Sequence, residues 1–253
     1  MHRYFIHMAY DGSRYKGWQV QPGQLTVQGV LEEAFSRVFR FPVEMTGCGR
    51  TDSGVHASSF IAHFDLDEEQ LSMHEGNVDQ LSFKMNRLLP PDILIHSIRE
   101  VDPDLHARFS ALSRSYRYII SKTKPLFNRA YSHYVYGEID SKSIVKCCRI
   151  LEKTSDFSSF ARLHSNVKTH ICKLSSAKWT ETAEAYHLDI TADRFLRNMV
   201  RAIAGTLLDV GQGRVSAAGF QEIIDARDRC RAGQSAPAKG LFLTRICYPG
   251  YCF

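Results

Sequence analysis

Near the N-terminus the chain changes its hydrophobic period, and that change limits the folds open to it. Tyr4, Ile6, Met8 and Tyr10 alternate as one face of a β-strand, and Asp11-Gly12-Ser13 breaks the run. Val27, Val30, Leu31, Ala34, Phe35, Val38 and Phe39 then recur at helical spacing behind Thr26, a residue suited to cap the first turn. A strand that feeds an amphipathic helix needs a second layer, because the apolar stripe must be buried against a sheet or another helix.

The alternation continues. A strand is predicted over 59–65, then a charged surface stretch over 67–79. Leu81, Met85, Leu88 and Leu89 mark a helix stopped by Pro90-Pro91, and 93–101 reads as another strand. A change in composition at Asp102-Pro103-Asp104 marks a boundary, which divides the chain into halves 1–104 and 105–253. The second half repeats the order loosely. Strands are predicted over 114–120, 170–179, 186–192 and 241–248. Ile144, Cys147, Cys148 and Leu151 mark one helix, and Phe195, Leu196, Met199, Val200, Ile203 and Leu207 a longer one ending near Gly211. Ser216 starts a short helix containing Phe220, Ile223 and Ile224. The expected class is α+β, with two similar sheet-plus-helix halves and mainly antiparallel sheets.

The 253 residues, 44% of them hydrophobic, are ample for a buried core. No segment approaches the roughly 18 unbroken apolar residues of a membrane span, and Met1-His2-Arg3-Tyr4-Phe5 lacks a signal-peptide layout. A cytoplasmic protein with no membrane partner is expected. The seven cysteines include no C-x-x-C pair, so reduced and mostly buried thiols are expected. Cys247 and Cys252 lack partner ligands for a metal, and no metal site is predicted.

A net charge of +5 leans toward an anionic partner. Arg194, Arg197, Arg201 and Arg214 crowd one segment. Arg108, Arg114 and Arg117 interleave with Phe109, Tyr116 and Tyr118 in another. Cations alternating with aromatics suit phosphates and unstacked bases, and equally suit a solvated strand face over core tyrosines.

Residues 46–57, Thr-Gly-Cys-Gly-Arg-Thr-Asp-Ser-Gly-Val-His-Ala, carry the sharpest chemical signal. They set one carboxylate, Asp52, between a glycine-flanked Arg50 and a Ser53-Gly54 turn. The arginine keeps an acid ionised, and glycines let a bulky ligand reach the main chain, as a carboxylate nucleophile or base needs. Asp-Ser-Gly is also a common plain turn. Other readings remain: a non-catalytic RNA-binding module, which would not need Asp52, and an aspartic protease, which would need a dimer because no second Asp-Ser/Thr-Gly is present. A dinucleotide site fails because Asp52 occupies the third glycine position.

In chain order, Tyr10-Asp11-Gly12, Gly17-Trp18-Gln19-Val20-Gln21, Thr26-Val27-Gln28 and Gly49-Arg50-Thr51-Asp52-Ser53-Gly54-Val55-His56-Ala57 resemble the tRNA pseudouridine synthases of the TruA type. Asn86, Leu89-Pro90-Pro91-Asp92-Ile93, Arg108-Phe109-Ser110-Ala111 and Arg114-Ser115-Tyr116-Arg117-Tyr118 extend the resemblance. So do Asp156-Phe157-Ser158-Ser159-Phe160, Phe195-Leu196, Met199-Val200-Arg201, Gly205 and Ala238-Lys239-Gly240-Leu241-Phe242-Leu243. The resemblance implies isomerisation of uridine to pseudouridine in the anticodon stem-loop of tRNA, positions 38–40, by a homodimer without cofactor or metal. It implies an active-site cleft between the halves, with Asp52 as the essential acid, Arg201 as its paired cation and Tyr116 stacked on the flipped base. Arg50, Thr51, His56, Arg108 and Arg114 are the implied RNA or substrate contacts. Whether Asp52 is a nucleophile or a base on the ribose stays open. Arg197 and Asn198 stand where such proteins vary.

Overall fold

The structure is a computed structural model that describes residues 1–72, 78–163 and 167–253. The chain divides into two compact units, Met1–Leu112 with Leu243–Phe253, and Ser113–Phe242. The first runs β1 (His2–Tyr10), α1 (Val27–Phe39), β2 (Thr46–Gly47), β3 (His56–Leu66), α2 (Glu68–Ser72), α3 (Val78–Leu88) and β4 (Ile93–Val101). The second runs β5 (Ser113–Ser121), β6 (His133–Tyr134), α4 (Ser141–Lys153), β7 (Leu174–Glu181), β8 (Ala185–Ala192), α5 (Met199–Gly211) and α6 (Ala217–Asp225). β9 (Leu241–Tyr248) and β10 (Tyr251–Cys252) follow, and all but the first two residues of β9 belong with the first unit. No helix among the described residues is long and apolar enough to cross a membrane.

In the first unit the strand order is β4-β1-β3-β9, with β2 beside β3 and β10 beside β9. β1 is antiparallel to both its neighbours. Its alternation works as the sequence predicts: Tyr4, Ile6, Met8 and Tyr10 are all buried. They share the core with Leu31, Phe35 and Phe39 of α1, and Phe64 of β3 stacks on Tyr4 at 5.4 Å and meets Phe35 edge-on at 5.3 Å. Thr26 Oγ1 accepts the Gly29 amide at 3.3 Å, the expected cap.

In the second unit β8 lies between β5 and β7, antiparallel to each, and β6 runs parallel to β5. α4 turns Ile144, Cys147, Cys148 and Leu151 inward, behind an Asp140 cap. The α+β class with mainly antiparallel pairing is therefore observed.

Several boundaries differ from the sequence reading. The long helix starts at Met199, not Phe195, because Asn198 adopts a left-handed conformation (φ 66°) that a right-handed helix cannot continue through. β7 starts at Leu174, since 170–172 instead pair with 155–157: Phe157 N donates to His170 O, and Cys172 N to Ser155 O. The charged stretch 67–79 holds α2 with exposed Glu68 and Glu69, while 73–77 lie outside the described residues.

The expectation of reduced cysteines also needs correction: Cys247 and Cys252 form a disulfide. Pro249-Gly250 turns β9 back into β10, and Ile246 and Phe253 exchange both main-chain hydrogen bonds. That leaves Cys247 opposite Cys252 as a non-hydrogen-bonded pair, the closest kind, with Cα atoms 4.0 Å apart. Of the free cysteines, Cys48, Cys147, Cys148 and Cys172 are buried and Cys230 is exposed.

Another face of the first unit carries polar groups. Arg3 makes a two-point contact with Asp65 at 2.7 Å on each arm. His63 Nδ1 accepts the Ala107 amide at 3.1 Å, and its ring meets His106 edge-on. Burial first, then the positive Arg3 and His106, push the His63 pKa down to about 4, against the opposing pull of Asp65. A histidine held neutral in the fold but free to protonate when unfolded stabilises the protein above pH 6.5. That contribution is lost as pH falls from 6.5 toward 4. We predict that urea midpoints fall over this window, and that His63→Asn reduces the fall by an amount on the order of 2–3 kcal/mol. An unchanged pH profile in the variant would show that His63 titrates normally.

Candidate functional site

The loop carrying Asp52 leaves β2 and enters β3, and the segment after β1 braces it from one side. Trp18 N donates to Thr51 O at 3.3 Å, and Ser53 Oγ and Gly54 N donate to Tyr15 O at 3.2 and 3.4 Å. Val55 N closes the turn onto Asp52 O at 3.1 Å. Gly54 sits at φ 78°, as such a turn requires of its glycine. Gly17 (φ 94°) passes so near the loop that a Cβ there would lie 2.4 Å from Thr51 O.

The residues the sequence singles out on this loop differ in exposure. Arg50 is exposed and Asp52 partly so. Thr51 is buried, 8% exposed, and its Oγ1 shares a hydrogen bond of 2.9 Å with Tyr10 Oη. His56 is 1% exposed, and its Nδ1 lies 3.1 Å from Gly12 N and 3.0 Å from Asp11 Oδ1. One ring nitrogen cannot do both jobs: Nδ1 accepts from Gly12 when the ring proton is on Nε2, and donates to Asp11 only when Nδ1 carries a proton. Arg108 belongs to the same unit; it is exposed, with its guanidinium 5.4 Å from the Phe109 ring centre.

Tyr116, Arg114 and Arg201 belong to the second unit. On β5, Tyr116 and Tyr118 register with Ile190 and Leu188 of β8, so they share a face, while Arg117 pairs with Asp189 on the other. Tyr118 is fully buried, its hydroxyl donating to Pro237 O at 2.8 Å; Tyr116 is half-buried. The Phe195 ring stands edge-on to Tyr116 at 5.1 Å. Arg114 donates to Asp193 O at 2.9 Å. Arg201 Nε donates to Ala236 O at 2.8 Å, while Ala236 N returns a bond to Arg201 O. The strand β5, the 193–201 segment and the 235–237 turn thus hold Arg114, Tyr116 and Arg201 in one region of this unit.

Four neighbours of these groups carry no role in the sequence reading. Tyr10, Tyr15 and Asp92 form the frame behind Asp52: Tyr15 Oη donates to Asp92 Oδ1 at 2.5 Å, and Asp11 N donates to Asp92 O. Tyr10 and Asp92 stand in recognisable motifs that carry no assigned role, and nothing in the sequence marks Tyr15. Phe195, readable only as a core residue, meets the Tyr116 ring.

Among the described residues no three His, Cys, Asp or Glu side chains gather to hold a metal ion. A shallow hollow of about 640 Å³ lies between the ends of α4 and α6, lined by Arg149, Lys153, Asp156, Asp225 and Arg227. Arg227 already pairs with Asp156 at 3.2 Å, and none of these residues belongs to the groups above.

Comparison with known proteins decides among the readings. The family model described as tRNA pseudouridine synthase matches residues 148–249. The tRNA pseudouridine synthase A of Bacteroides thetaiotaomicron is 48% identical over 254 residues, covering 98% of this chain and 91% of that protein. The chain belongs to the tRNA pseudouridine synthase A family. The proteins of that name from Parabacteroides distasonis (46% identical over 253 residues; 100% of this chain, 98% of that one) and Bacteroides fragilis (47% over 252 residues; 99% and 98%) match across its whole length. As a pseudouridine synthase it is an isomerase that converts uridine to pseudouridine. The protease and the non-catalytic RNA-binding readings are thereby set aside.

For this synthase, the fit of Gly17 against the loop gives a direct prediction. Gly17→Ala meets both a left-handed backbone and the Thr51 carbonyl, whereas Gly23→Ala (φ 69°) has open space around it. Gly23→Ala should cost about 1 kcal/mol from backbone strain alone. Gly17→Ala should cost about 1–3 kcal/mol more. Equal urea midpoints for the two variants would show that the loop does not rest against Gly17.

Proposed function

We propose that this chain isomerises uridine in the anticodon stem-loop of tRNA, at positions 38–40, with Asp52 as the essential acid and without cofactor or metal. The observation that carries this reading is the full-length likeness to proteins named tRNA pseudouridine synthase A, with Asp52 on a braced, partly exposed loop beside an exposed Arg50. The reaction exchanges a glycosidic C–N bond for a C–C bond after the base turns, and it needs no net oxidation or hydrolysis. A carboxylate suits it as a nucleophile or as a base on the ribose.

In this reading Arg201 is the cation paired with Asp52. Its planar head offers the acid two donors at once, a contact that a point charge does not reproduce. The half-buried Tyr116 ring is the platform for a base taken out of the stack. Arg50, Arg108 and Arg114 meet phosphates. Thr51 and His56, both buried, serve by supporting the loop rather than by touching RNA. The protein works in the cytoplasm as a homodimer.

The test is a pseudouridine map of unmodified tRNA incubated with the wild type and with Asp52→Asn. Wild type should convert uridines at 38–40. Asp52→Asn should give no product yet bind tRNA within about threefold of wild type, because phosphate contacts supply most of the affinity. Turnover by Asp52→Asn, after deamidation is excluded, would remove Asp52 from its role. Product confined to other positions would overturn the proposed target.

A further inference from the structure

We propose that Tyr10 and Tyr15 are positioning residues that fix the peptide on either side of Asp52, and that Thr51 works as the latch of Tyr10 rather than as an RNA contact. The inference rests on the reading of Asp52 as the essential acid. It goes further by naming what aims that acid.

The two attachments are different in kind. On the N-terminal side the Tyr10 hydroxyl bonds Thr51 Oγ1 at 2.9 Å, and both residues are buried. Tyr10 is the last residue of β1, so this bond ties the loop to the end of a strand that is paired on both sides, with Tyr10 itself in register with Ala57 and Ile93. On the C-terminal side the Tyr15 carbonyl receives Ser53 Oγ and Gly54 N. Tyr15 is itself held at its far end, where its hydroxyl donates to Asp92 at the start of β4, and Asp92 also pairs with Arg14 at 3.2 Å.

Asp52 therefore stands on a peptide gripped at the residue before it and at the two residues after it. Such a frame matters most in a reaction in which one carboxylate must meet a sugar or base in a narrow range of angles. A displacement near 1 Å can cost about a hundredfold in rate without weakening binding. A buried threonine bonded inward is poorly disposed to meet RNA, and that separates this role from the contact the sequence suggests for it.

The experiment compares Tyr10→Phe, Thr51→Val and Thr51→Ser under single-turnover and steady-state conditions with tRNA. Tyr10→Phe and Thr51→Val each delete one hydroxyl and keep the packing volume. Each should lower kcat by about 10- to 100-fold with KM and tRNA Kd unchanged. Thr51→Ser keeps the hydroxyl and should recover most of the kcat that Thr51→Val loses. The double variant should be no worse than the worse single one, because both singles break the same bond. If Tyr10→Phe fails to fold, the Thr51 pair still decides the question.

Wild-type kcat in both hydroxyl deletions, beside an inactive Asp52→Asn, would overturn the latch and leave the acid in place. A raised KM with kcat unchanged would return Thr51 to the RNA contacts and overturn the proposal. An active Asp52→Asn would instead remove the reading on which it rests.

Discussion

The Asp52 loop depends on the carbonyl oxygen of Tyr15. It takes a side-chain hydroxyl and a main-chain amide from the two residues after the acid. The Tyr15 ring is buried and anchored to Asp92. A loop with only water for partners would be free to sample many positions, and the entropy of fixing it would fall on the reacting state. Here much of that cost is met on folding, by hydrogen bonds reaching into the strands of the first unit. The close pass of Gly17 belongs to the same frame, since the backbone can approach the Thr51 carbonyl only where no Cβ intervenes.

The second unit solves a related problem with other means. The side chains that the sequence singles out there are cations and rings, which need directed support rather than a tight turn. Arg114 and Arg201 are each oriented by a main-chain carbonyl, Asp193 O and Ala236 O. Such contacts aim a guanidinium through a neutral acceptor, whereas Arg117 on the opposite strand face is aimed by the Asp189 carboxylate. Phe195 meets the Tyr116 ring at a right angle, 5.1 Å between centres, and so fixes its tilt. Asn198, in its left-handed conformation, ends the incoming loop and lets the helix bearing Arg201 begin at Met199.

Much of the fold was legible because it follows from period and caps. The strands at 2–10, 93–101 and 241–248 and the helices behind Thr26 and Ser216 stand close to where alternation and capping residues put them. What was not legible depends on single backbone torsions or on partners distant in sequence. Nothing before Met199 announces a left-handed Asn198, and the Cys247–Cys252 bond exists only because a two-residue turn sets them in register. Asp52, Arg50 and Tyr116 could be singled out as candidates by residue type and motif. Tyr15 could not, since it acts largely through a carbonyl that every residue possesses. The burial of Thr51 and His56 was likewise invisible, because their motif reads the same whether the side chains face RNA or the core.

The central claim is that the Asp52 loop is a fixed part of the first unit rather than a mobile surface turn. Amide hydrogen exchange at Gly54 and Val55, whose N–H groups donate to Tyr15 O and Asp52 O, measures this most directly. Both amides should be protected to a degree comparable with β3 in the protein free of RNA. Exchange at the rate of an unstructured peptide, with β3 still protected, would contradict it.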